Sequence, residues 1–265
     1  MDGVIAFVDD QGITRHLGNL EAPLRFSWDI SGGGVIIPRS QWRETDLSAF
    51  VSPIKNQKNT SSCNAFSSIN CMEACRRMAG LRDVLLSPAN LYGRINGGRD
   101  QGSYLEDAIK VLAGEGVCSA ATVPELSWQP STWPASWKSE ALSYKAEEWS
   151  WTPGFDGLAS AIQRGEFCNM GLLWYQNYNP ARGQGGWITT RPSNQLGGHA
   201  VCGCGLIKHP SGDGWGIKFP NTWGLEWGED GFGILPEPAL NNKIGGFWTV
   251  RSVTTESGDI PTPRV

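Results

Sequence analysis

The chain has 265 residues, of which 40% are hydrophobic and 18% charged. These values are typical of a globular protein, and the length is sufficient for one large domain or for two lobes with a shared core. The formal net charge is −4 and no basic run occurs. The composition therefore argues against nucleic acid and against a membrane surface as partners.

Residues 1–10 are acidic and contain only a short apolar run. This pattern fits neither a signal peptide nor a membrane helix. The chain contains seven cysteines, an odd number for a framework of disulfides. We therefore expect cytoplasmic synthesis, without a signal peptide, in a reducing compartment.

Residues 1–45 are interpreted as an N-terminal extension of strands and turns. Residues 4–8 favour a strand, residues 9–12 a turn, and residues 13–17 a returning strand that completes a hairpin. The Ser-Gly-Gly-Gly sequence at 31–34 interrupts the chain before the next apolar residues. No helical inhibitory segment is apparent. We expect this extension to pack on the core, and its sequence assigns it no function.

The most informative stretch begins at Gln57 and leads into an apolar run that starts at Cys63 and is compatible with a helix ending near Gly80. Ser61 or Ser62 is expected to cap this helix, which would put the Cys63 thiol in the first turn. Free N–H groups and the helix dipole favour a thiolate there. The side-chain amide of Gln57 could donate to an oxyanion.

Further elements follow in chain order. Ser87 and Pro88 predict a helix start, and residues 104–113 have helical spacing after a glycine-rich loop. Five tryptophans between 128 and 151 are interpreted as buried packing where two lobes meet, with an exposed stacking platform as the alternative. The second half predicts strands at 171–175, 200–206, 214–219 and 246–253.

A base and an orienting residue lie in this second half. The Gly-Gly-His sequence ending at His199 precedes a predicted strand, and Asn221 opens an Asn-Thr-Trp-Gly sequence that is soon followed by Trp227 and a glycine. Each residue alone has an ordinary structural role open to it. Their combination with Gln57 and Cys63 indicates nucleophilic catalysis.

These motifs resemble those of the papain-like cysteine peptidases, most closely the bacterial and phage members without a long pro-segment. The resemblance covers about residues 46–253. It implies an α+β fold of two lobes, a helical lobe at about 52–125 with the nucleophile and a β-rich lobe at about 150–253 with His and Asn. Residues 1–45 would form the extension and residues 254–265 a tail.

The resemblance implies a cysteine-type endopeptidase. His199 would take the proton of Cys63, and the thiolate would attack a peptide carbonyl to form an acyl-enzyme. The Gln57 side chain and the Cys63 backbone N–H would stabilise the oxyanion. Asn221 would accept a hydrogen bond from the second ring nitrogen and fix the orientation of the imidazole.

Substrate-binding residues are also implied by the resemblance. Gly102 and Ser103 match the glycine-rich loop that pairs with the substrate backbone, although a simple turn is an equal alternative. Gly198 is assigned to the same cleft. Trp223 would shield the His–Asn bond from water, and Trp227 would line the leaving-group side, unless either one is plain core.

The sequence departs from the family pattern at three places. Asn64 stands where a Trp usually follows the nucleophile, and Lys58 begins a replacement of the usual Gly-Ser. Pro220 directly precedes Asn221 and restricts Phe219 to extended geometry. We expect this proline to shift the orienting Asn slightly.

A metal site is an alternative for His199, Cys202, Cys204 and His209, which have the residue types that bind zinc. On a strand, however, the two cysteines share one face and His199 points to the other. We therefore predict no metal and no cofactor, with the cysteines as core.

The predicted partner is a protein or peptide substrate. Two other classes compete with the peptidase. A cell-wall amidopeptidase is disfavoured because such enzymes lack the Gln and Asn-x-Trp-Gly motifs. The main alternative is a papain-fold component of an assembly such as a phage particle, with weak or no activity. The tail at 254–265 has two prolines and little apolar surface, so we expect a larger assembly to order it and the chain to enter a virion or similar particle.

Overall fold

The structure is a computed structural model that describes residues 6–21, 34–51, 53–180 and 182–255, with only the backbone described at 241–245. Most of the tail, residues 256–265, lies outside the described residues, and so does most of the Ser-Gly-Gly-Gly sequence. The expectations for those segments therefore remain predictions.

The N-terminal hairpin predicted from the sequence is present. Strand β1 (Ala6–Val8) pairs antiparallel with β2 (Thr14–His16). The Asp9 carboxylate closes the turn by accepting hydrogen bonds from the backbone N–H groups of Gln11 (3.0 Å) and Ile13 (2.8 Å). An Asp side chain bonded to its own turn in this way is a common device for holding a turn.

Three of the described α-helices lie in the first half of the chain, and two lie beyond it. They are α1 (Cys63–Met78), α2 (Pro88–Ile95), α3 (Leu105–Gly114), the short α4 (Trp137–Ala141) and α5 (Gly154–Gln163). Helix α2 starts as predicted, because the Ser87 hydroxyl accepts from the Asn90 N–H at 3.0 Å and Pro88 is the first helical residue.

The predicted serine cap of α1 is wrong. Ser62 occupies the capping position but makes no side-chain bond to the helix. Its hydroxyl lies 2.6 Å from the Thr60 hydroxyl instead, and Thr60 in turn donates to the Gln57 carbonyl at 2.7 Å. The hydroxyl groups thus hold the turn that leads into the helix. Cys63 is still in the first turn, as predicted.

Eight further strands form two four-stranded antiparallel sheets. The strands are β3 (Thr45–Asp46), β4 (Ala146–Trp151), β5 (Phe167–Tyr175), β6 (Gln195–Gly203), β7 (Gly205–Lys208), β8 (Trp215–Pro220), β9 (Phe232–Pro236) and β10 (Lys243–Val253). One sheet has the order β4-β10-β5-β6 and the other β3-β7-β8-β9.

Helix α1 lies against the first sheet, where it packs on β5, β6 and β10. Ile69 and Met72 of α1 are fully buried in one apolar cluster with Phe167 and Trp248 of that sheet. The helical part and the sheet therefore share a core, and α1 is held at a fixed distance from β6. The predicted α+β class is confirmed.

The strand predicted at 200–206 is two strands, because the chain changes sheets at Cys204. The Cys204 N–H donates to Lys218 at 2.8 Å, and its carbonyl accepts from Leu47 at 2.8 Å. Helix α5 was not predicted, since glycine disfavours helices. Gly157 is tolerated there for packing, because a Cβ at this position would lie 2.6 Å from the Thr152 methyl.

The tryptophan-rich stretch follows the packing interpretation only in part. All five indoles are half-buried. Trp133 and Trp137 pack edge to face at 5.3 Å in a small cluster beside α2. Trp149 and Trp151 of β4 cover the core that α1 shares with the sheet. The packing is therefore local, in two clusters that Trp128 contacts together.

Among the described residues, no group of three or more His, Cys, Asp or Glu side chains is arranged to hold a metal ion. Cys202 lies instead against Cys71 of α1, with 3.2 Å between the two sulfur atoms. None of the described helices has the length and apolar character needed to cross a membrane.

The side chain of Lys55, two residues before Gln57, forms buried ion pairs. The Lys55 ammonium is fully buried and lies 2.6 Å from the Glu125 carboxylate and 3.2 Å from that of Glu73. The Lys55 carbonyl accepts from the N–H of Gly224 at 3.0 Å. Burial raises the pKa of Glu73, and the Lys55 charge opposes this effect.

We predict that Lys55→Ala destabilises the protein by about 3 kcal/mol or more, because it leaves the Glu73 carboxylate buried without its main counter-charge. Chemical denaturation measures the difference. The control is Lys110→Ala, which removes an exposed pair with Glu106 and should change stability by less than about 1 kcal/mol. Equal losses in both variants would contradict the role given to burial.

Candidate active site

Cys63 lies at the start of α1 and is fully buried. Burial raises the pKa of its thiol to about 12, and interactions with the backbone N–H groups of Ala200 and Gly18 oppose part of this rise. Ala200 directly follows His199 on β6. The structure therefore brings together the two residues that the sequence assigned as nucleophile and base.

The His199 ring is held by Asn221. The distance from Nε2 to the Asn221 Oδ1 is 2.8 Å, and the backbone N–H of Thr222 donates to the same oxygen at 2.8 Å. Since that oxygen can only accept, Nε2 must carry the ring proton. Nδ1 has no hydrogen-bond partner among the described residues. It is therefore the nitrogen left with a lone pair for a thiol proton.

The shift expected from Pro220 does not prevent this geometry. Pro220 is the last residue of β8, and Phe219 before it is extended, which is the conformation that a following proline favours. The backbone N–H of Asn221 donates to the Gly231 carbonyl at 2.8 Å. Asn221 therefore follows directly on the end of β8, where the extended backbone is compatible with Pro220.

Both the oxygen and the nitrogen of the Gln57 side-chain amide are hydrogen-bonded. Its Oε1 accepts from the Thr222 hydroxyl at 2.5 Å, and its Nε2 donates to the carbonyls of Thr60 (2.7 Å) and His16 (3.2 Å). The following residue, Lys58, has a positive φ of 54°, which turns the chain back towards Cys63 despite the missing glycine. The Gln57 side chain is therefore bonded to the turn that leads to Cys63, and its role as oxyanion donor remains a prediction.

Two buried indoles enclose the His199 ring. Trp223 stacks on it with a centroid distance of 4.7 Å and an interplanar angle of 28°. Trp174 of β5 meets it edge-on, also at 4.7 Å. Trp223 was predicted, whereas Trp174 was only placed in a strand. Its sole signal was its position on a predicted strand, which gave no indication of a contact with His199.

Trp227 is mostly core. It packs on Phe219 with 5.8 Å between ring centroids, and its Nε1 donates to Asn179 at 3.0 Å. One edge lines a small cleft between Pro180 and the hairpin turn at Asp10. The core interpretation therefore applies to most of the ring, and its role on the leaving-group side remains a prediction.

The predicted substrate-binding residues lie around a stretch of this same chain, residues 16–20, which we call the cleft segment. The Ser103 N–H donates to the Gly18 carbonyl at 2.8 Å, and the Leu20 N–H donates to the Ser103 carbonyl at 3.1 Å. On the opposite side, the N–H groups of Gly18 (3.2 Å) and Asn19 (3.0 Å) donate to the Gly198 carbonyl. The cleft segment therefore lies between Ser103 and Gly198 and covers the cleft that they line.

This contact requires glycine at three positions. A Cβ on Gly18 would lie 2.0 Å from the Ser61 carbonyl oxygen, and one on Gly198 would lie 2.0 Å from that of Asn19. A Cβ on Gly102 would lie 2.3 Å from the Gly18 carbonyl oxygen. The backbones approach so closely that any side chain would have to displace one of them.

The hairpin anchors the cleft segment on the tryptophan side. Arg15 forms a buried ion pair with Asp9 at 2.7 Å and donates to the Trp223 carbonyl at 3.2 Å. Phe7 meets the Trp223 ring edge-on at 5.8 Å. The N-terminal extension, to which the sequence assigned no function, therefore packs directly on the candidate site.

The covered cleft changes the protonation of the catalytic pair. Burial lowers the pKa of His199 to about 4, although the hydrogen bond to Asn221 opposes this shift. Together with the raised pKa of the Cys63 thiol, this keeps both groups neutral through the neutral pH range. A thiolate–imidazolium pair needs a wetter cleft than the one observed.

The sequence pattern of the papain family cysteine proteases matches residues 37–242. The chain therefore belongs to this family, and the resemblance predicted from its motifs is confirmed. Cathepsin K of Gallus gallus is 27% identical over 202 residues, which are 73% of this chain and 57% of that protein. The match thus spans little more than half of that relative.

Solved structures show the same fold. Xylellain, a cysteine protease from Xylella fastidiosa, has a TM-score of 0.71 at 22% identity over 91% of this chain and 96% of that one. Procathepsin B S9 of Trypanosoma congolense has a TM-score of 0.69 at 16% identity over 89% and 87% of the two chains. At this identity the likeness defines the fold alone.

The lowered pKa of His199 predicts a loss of stability in acid. The unfolded residue binds a proton below about pH 6.5, whereas the buried ring does so only near pH 4. The free energy of unfolding should therefore fall as the pH drops from 6.5 to 4, by up to about 1.4 kcal/mol per pH unit from this residue.

The measurement is chemical denaturation at several pH values with His199→Gln as the control, because glutamine does not titrate. The difference in slope between the two proteins isolates His199 from the carboxylates. Parallel curves for both proteins would show that the folded ring is not shielded from protons.

Proposed function

We propose that this chain is a cysteine-type endopeptidase that cleaves peptide bonds through an acyl-enzyme on Cys63. The observation that carries the proposal is the state of His199. Its Nε2 is bonded to Asn221, while Nδ1 has no partner among the described residues, and the backbone N–H of the next residue, Ala200, interacts with the Cys63 thiol. This is the arrangement that a general base for a neighbouring nucleophile requires.

The reaction follows from these positions. His199 Nδ1 takes the Cys63 thiol proton, and the sulfur attacks the substrate carbonyl carbon. The carbonyl electron pair moves to oxygen, which accepts from the Gln57 side chain and the Cys63 N–H. When the pair returns, the C–N bond breaks and Nδ1–H protonates the leaving amine. His199 then deprotonates a water molecule, which hydrolyses the thioester and regenerates the thiol.

The bond from Gln57 to His16 supports its role as oxyanion donor. The Gln57 Nε2 already donates to a carbonyl oxygen of the cleft segment at 3.2 Å, so a peptide carbonyl can reach it. The indoles of Trp223 and Trp174 cover the imidazole on two sides. They would exclude water from the bond to Asn221 and keep the ring orientation during proton transfer.

We further propose that the observed form is latent. The cleft segment pairs parallel with Ser103 through Asn19, while the chain before it packs on Trp223. A substrate would place its acyl side, which is N-terminal, at Ser103 and its leaving amine at the tryptophan side. The cleft segment runs in the opposite direction, so it would occupy the cleft without presenting a bond for cleavage.

The substrate of an endopeptidase is a protein or peptide, and we propose no nucleic-acid or membrane partner. Synthesis in a reducing compartment remains our proposal, supported by seven buried thiols outside any disulfide. An assembly role, including one in a phage particle, is favoured by no contact among the described residues. Endopeptidase activity is therefore the function we put forward.

The first test opens the cleft by substitution. In Gly18→Ala the new Cβ would collide with the Ser61 carbonyl, so the cleft segment must shift. We predict that an epoxysuccinyl-peptide thiol reagent then labels Cys63 at least about tenfold faster than in wild type, read by intact mass and peptide mapping. The effect is expected because displacement exposes the thiol and lets water reach the imidazole.

Gly114→Ala is the matched control, since a Cβ there has no atom within 4 Å, and its labelling rate should equal that of wild type. Label that lands on another cysteine, such as Cys118, would contradict the assignment of Cys63. Equal labelling of wild type and Gly18→Ala would contradict the latent form.

The second test concerns turnover. In the Gly18→Ala background we expect Cys63→Ala and His199→Ala to abolish cleavage of a casein substrate, with the fold retained. Gln57→Ala should reduce kcat by roughly 10²–10³, because one oxyanion donor is lost. Unchanged turnover in the Gln57 variant would place the oxyanion hole elsewhere.

A further inference from the structure

Asn64, the residue directly after the nucleophile, uses its whole hydrogen-bonding capacity in the core. It is fully buried. A side-chain amide has two donor hydrogens and an oxygen that can accept two bonds, and all four positions are occupied. The Asn64 side chain therefore connects all the elements to which these four partners belong.

The two donors hold the loop that forms one wall of the cleft. Asn64 Nδ2 donates to the Ser103 hydroxyl at 3.1 Å and to the Tyr104 carbonyl at 2.9 Å. The backbone N–H and C=O of Ser103 are the groups that pair with the cleft segment. Asn64 therefore holds the Ser103 backbone in place through two bonds, one to the Ser103 side chain and one to the carbonyl of the next residue, Tyr104.

The acceptor connects the same side chain to the first sheet. Asn64 Oδ1 accepts from Asn169 Nδ2 at 3.1 Å and from the Ser68 hydroxyl at 3.4 Å. Asn169 lies on β5, is fully buried, and is itself held by the Ser67 hydroxyl at 2.6 Å. The cleft wall, the nucleophile helix and the sheet that carries His199 are thus joined by one chain of side-chain hydrogen bonds.

We propose that Asn64 is a positioning residue that holds the backbone edge of Ser103 at the correct distance from Cys63 for substrate pairing. This inference rests on the proposed peptidase function and adds the determinant of backbone binding on the acyl side. A bulky apolar residue could fill the same volume, but it could not bond to both the loop and β5.

An ordinary structural role makes a different prediction. If the network only stabilised the core, loss of any member would lower the melting temperature and affect all contacts of the cleft alike. If Asn64 positions the edge, its loss should weaken pairing at Ser103 and spare the opposite wall at Gly198. The two walls therefore serve as internal controls for each other.

The first arm of the test measures hydrogen exchange of single amides by NMR in the full chain. In Asn64→Ala the Ser103 and Leu20 N–H groups should exchange about tenfold faster relative to the Gly18 and Asn19 N–H groups, which bond to Gly198. Ser67→Ala is the matched control, because it removes one buried bond to Asn169 and leaves the grip on the loop intact.

The second arm measures reactivity in the full chain with Gly18→Ala as the parent. Asn64→Ala should lower the labelling rate of Cys63 by an epoxysuccinyl dipeptide about tenfold, since the dipeptide must pair with the cleft wall. The rate with iodoacetamide, which needs no such pairing, should change less than about twofold. If Asn64→Ala does not fold, Ser103→Ala removes one of the same bonds and should give a smaller change in the same direction.

Three results would overturn the proposal: unchanged exchange at Ser103, an equal rise at both walls, or equal loss of reactivity with both reagents. The exchange arm does not depend on catalysis. An unreactive Cys63 in the Gly18→Ala parent would refute the peptidase proposal, while the exchange ratio would still decide the role of Asn64.

Discussion

The hydrogen bond between His199 and Asn221 is the contact on which the site depends, because it joins the two sheets at the point of chemistry. His199 lies on β6 and Asn221 follows β8. Thr222 extends this contact: its N–H fixes the Asn221 oxygen, and its hydroxyl fixes the Gln57 amide. The proposed base, orienting residue and oxyanion donor are therefore all held by the residues at the end of β8. A small movement of β8 would disturb all three roles together.

Burial of this bond has two opposite effects. Exclusion of water strengthens the hydrogen bond and holds the imidazole in one tautomer. It also disfavours the charged thiolate and imidazolium on which a cysteine nucleophile depends. The two indoles exclude water from two sides of the imidazole, and the cleft segment covers the neighbouring Gly198 carbonyl. The proposed latent form therefore couples the reactivity of Cys63 to the position of residues 16–20.

Much of this site could be predicted from the sequence, because its parts carry local signals. The glutamine before a helix-forming cysteine, the Gly-Gly-His sequence and the Asn-x-Trp-Gly sequence each report a short-range requirement of the backbone or of the chemistry. The serine cap of α1 was mispredicted since two hydroxyl groups competed for partners in the same turn. Helix α5 and the break at Cys204 were missed because they depend on tertiary packing, which overrides local propensity.

The role of the cleft segment could not be predicted for a different reason. Its contacts with Ser103 and Gly198 are made by backbone groups, which every residue possesses, so they leave no side-chain pattern in the sequence. The one specific requirement is the absence of a side chain at Gly18, and a glycine in an extended run is equally typical of a bulge or a sharp bend. A cleft that pairs with substrate backbones can be occupied by almost any extended chain. The selectivity for this segment must then come from the hairpin before it, where Arg15 and Phe7 contact Trp223. The sequence predicts this hairpin but not its contacts with Trp223.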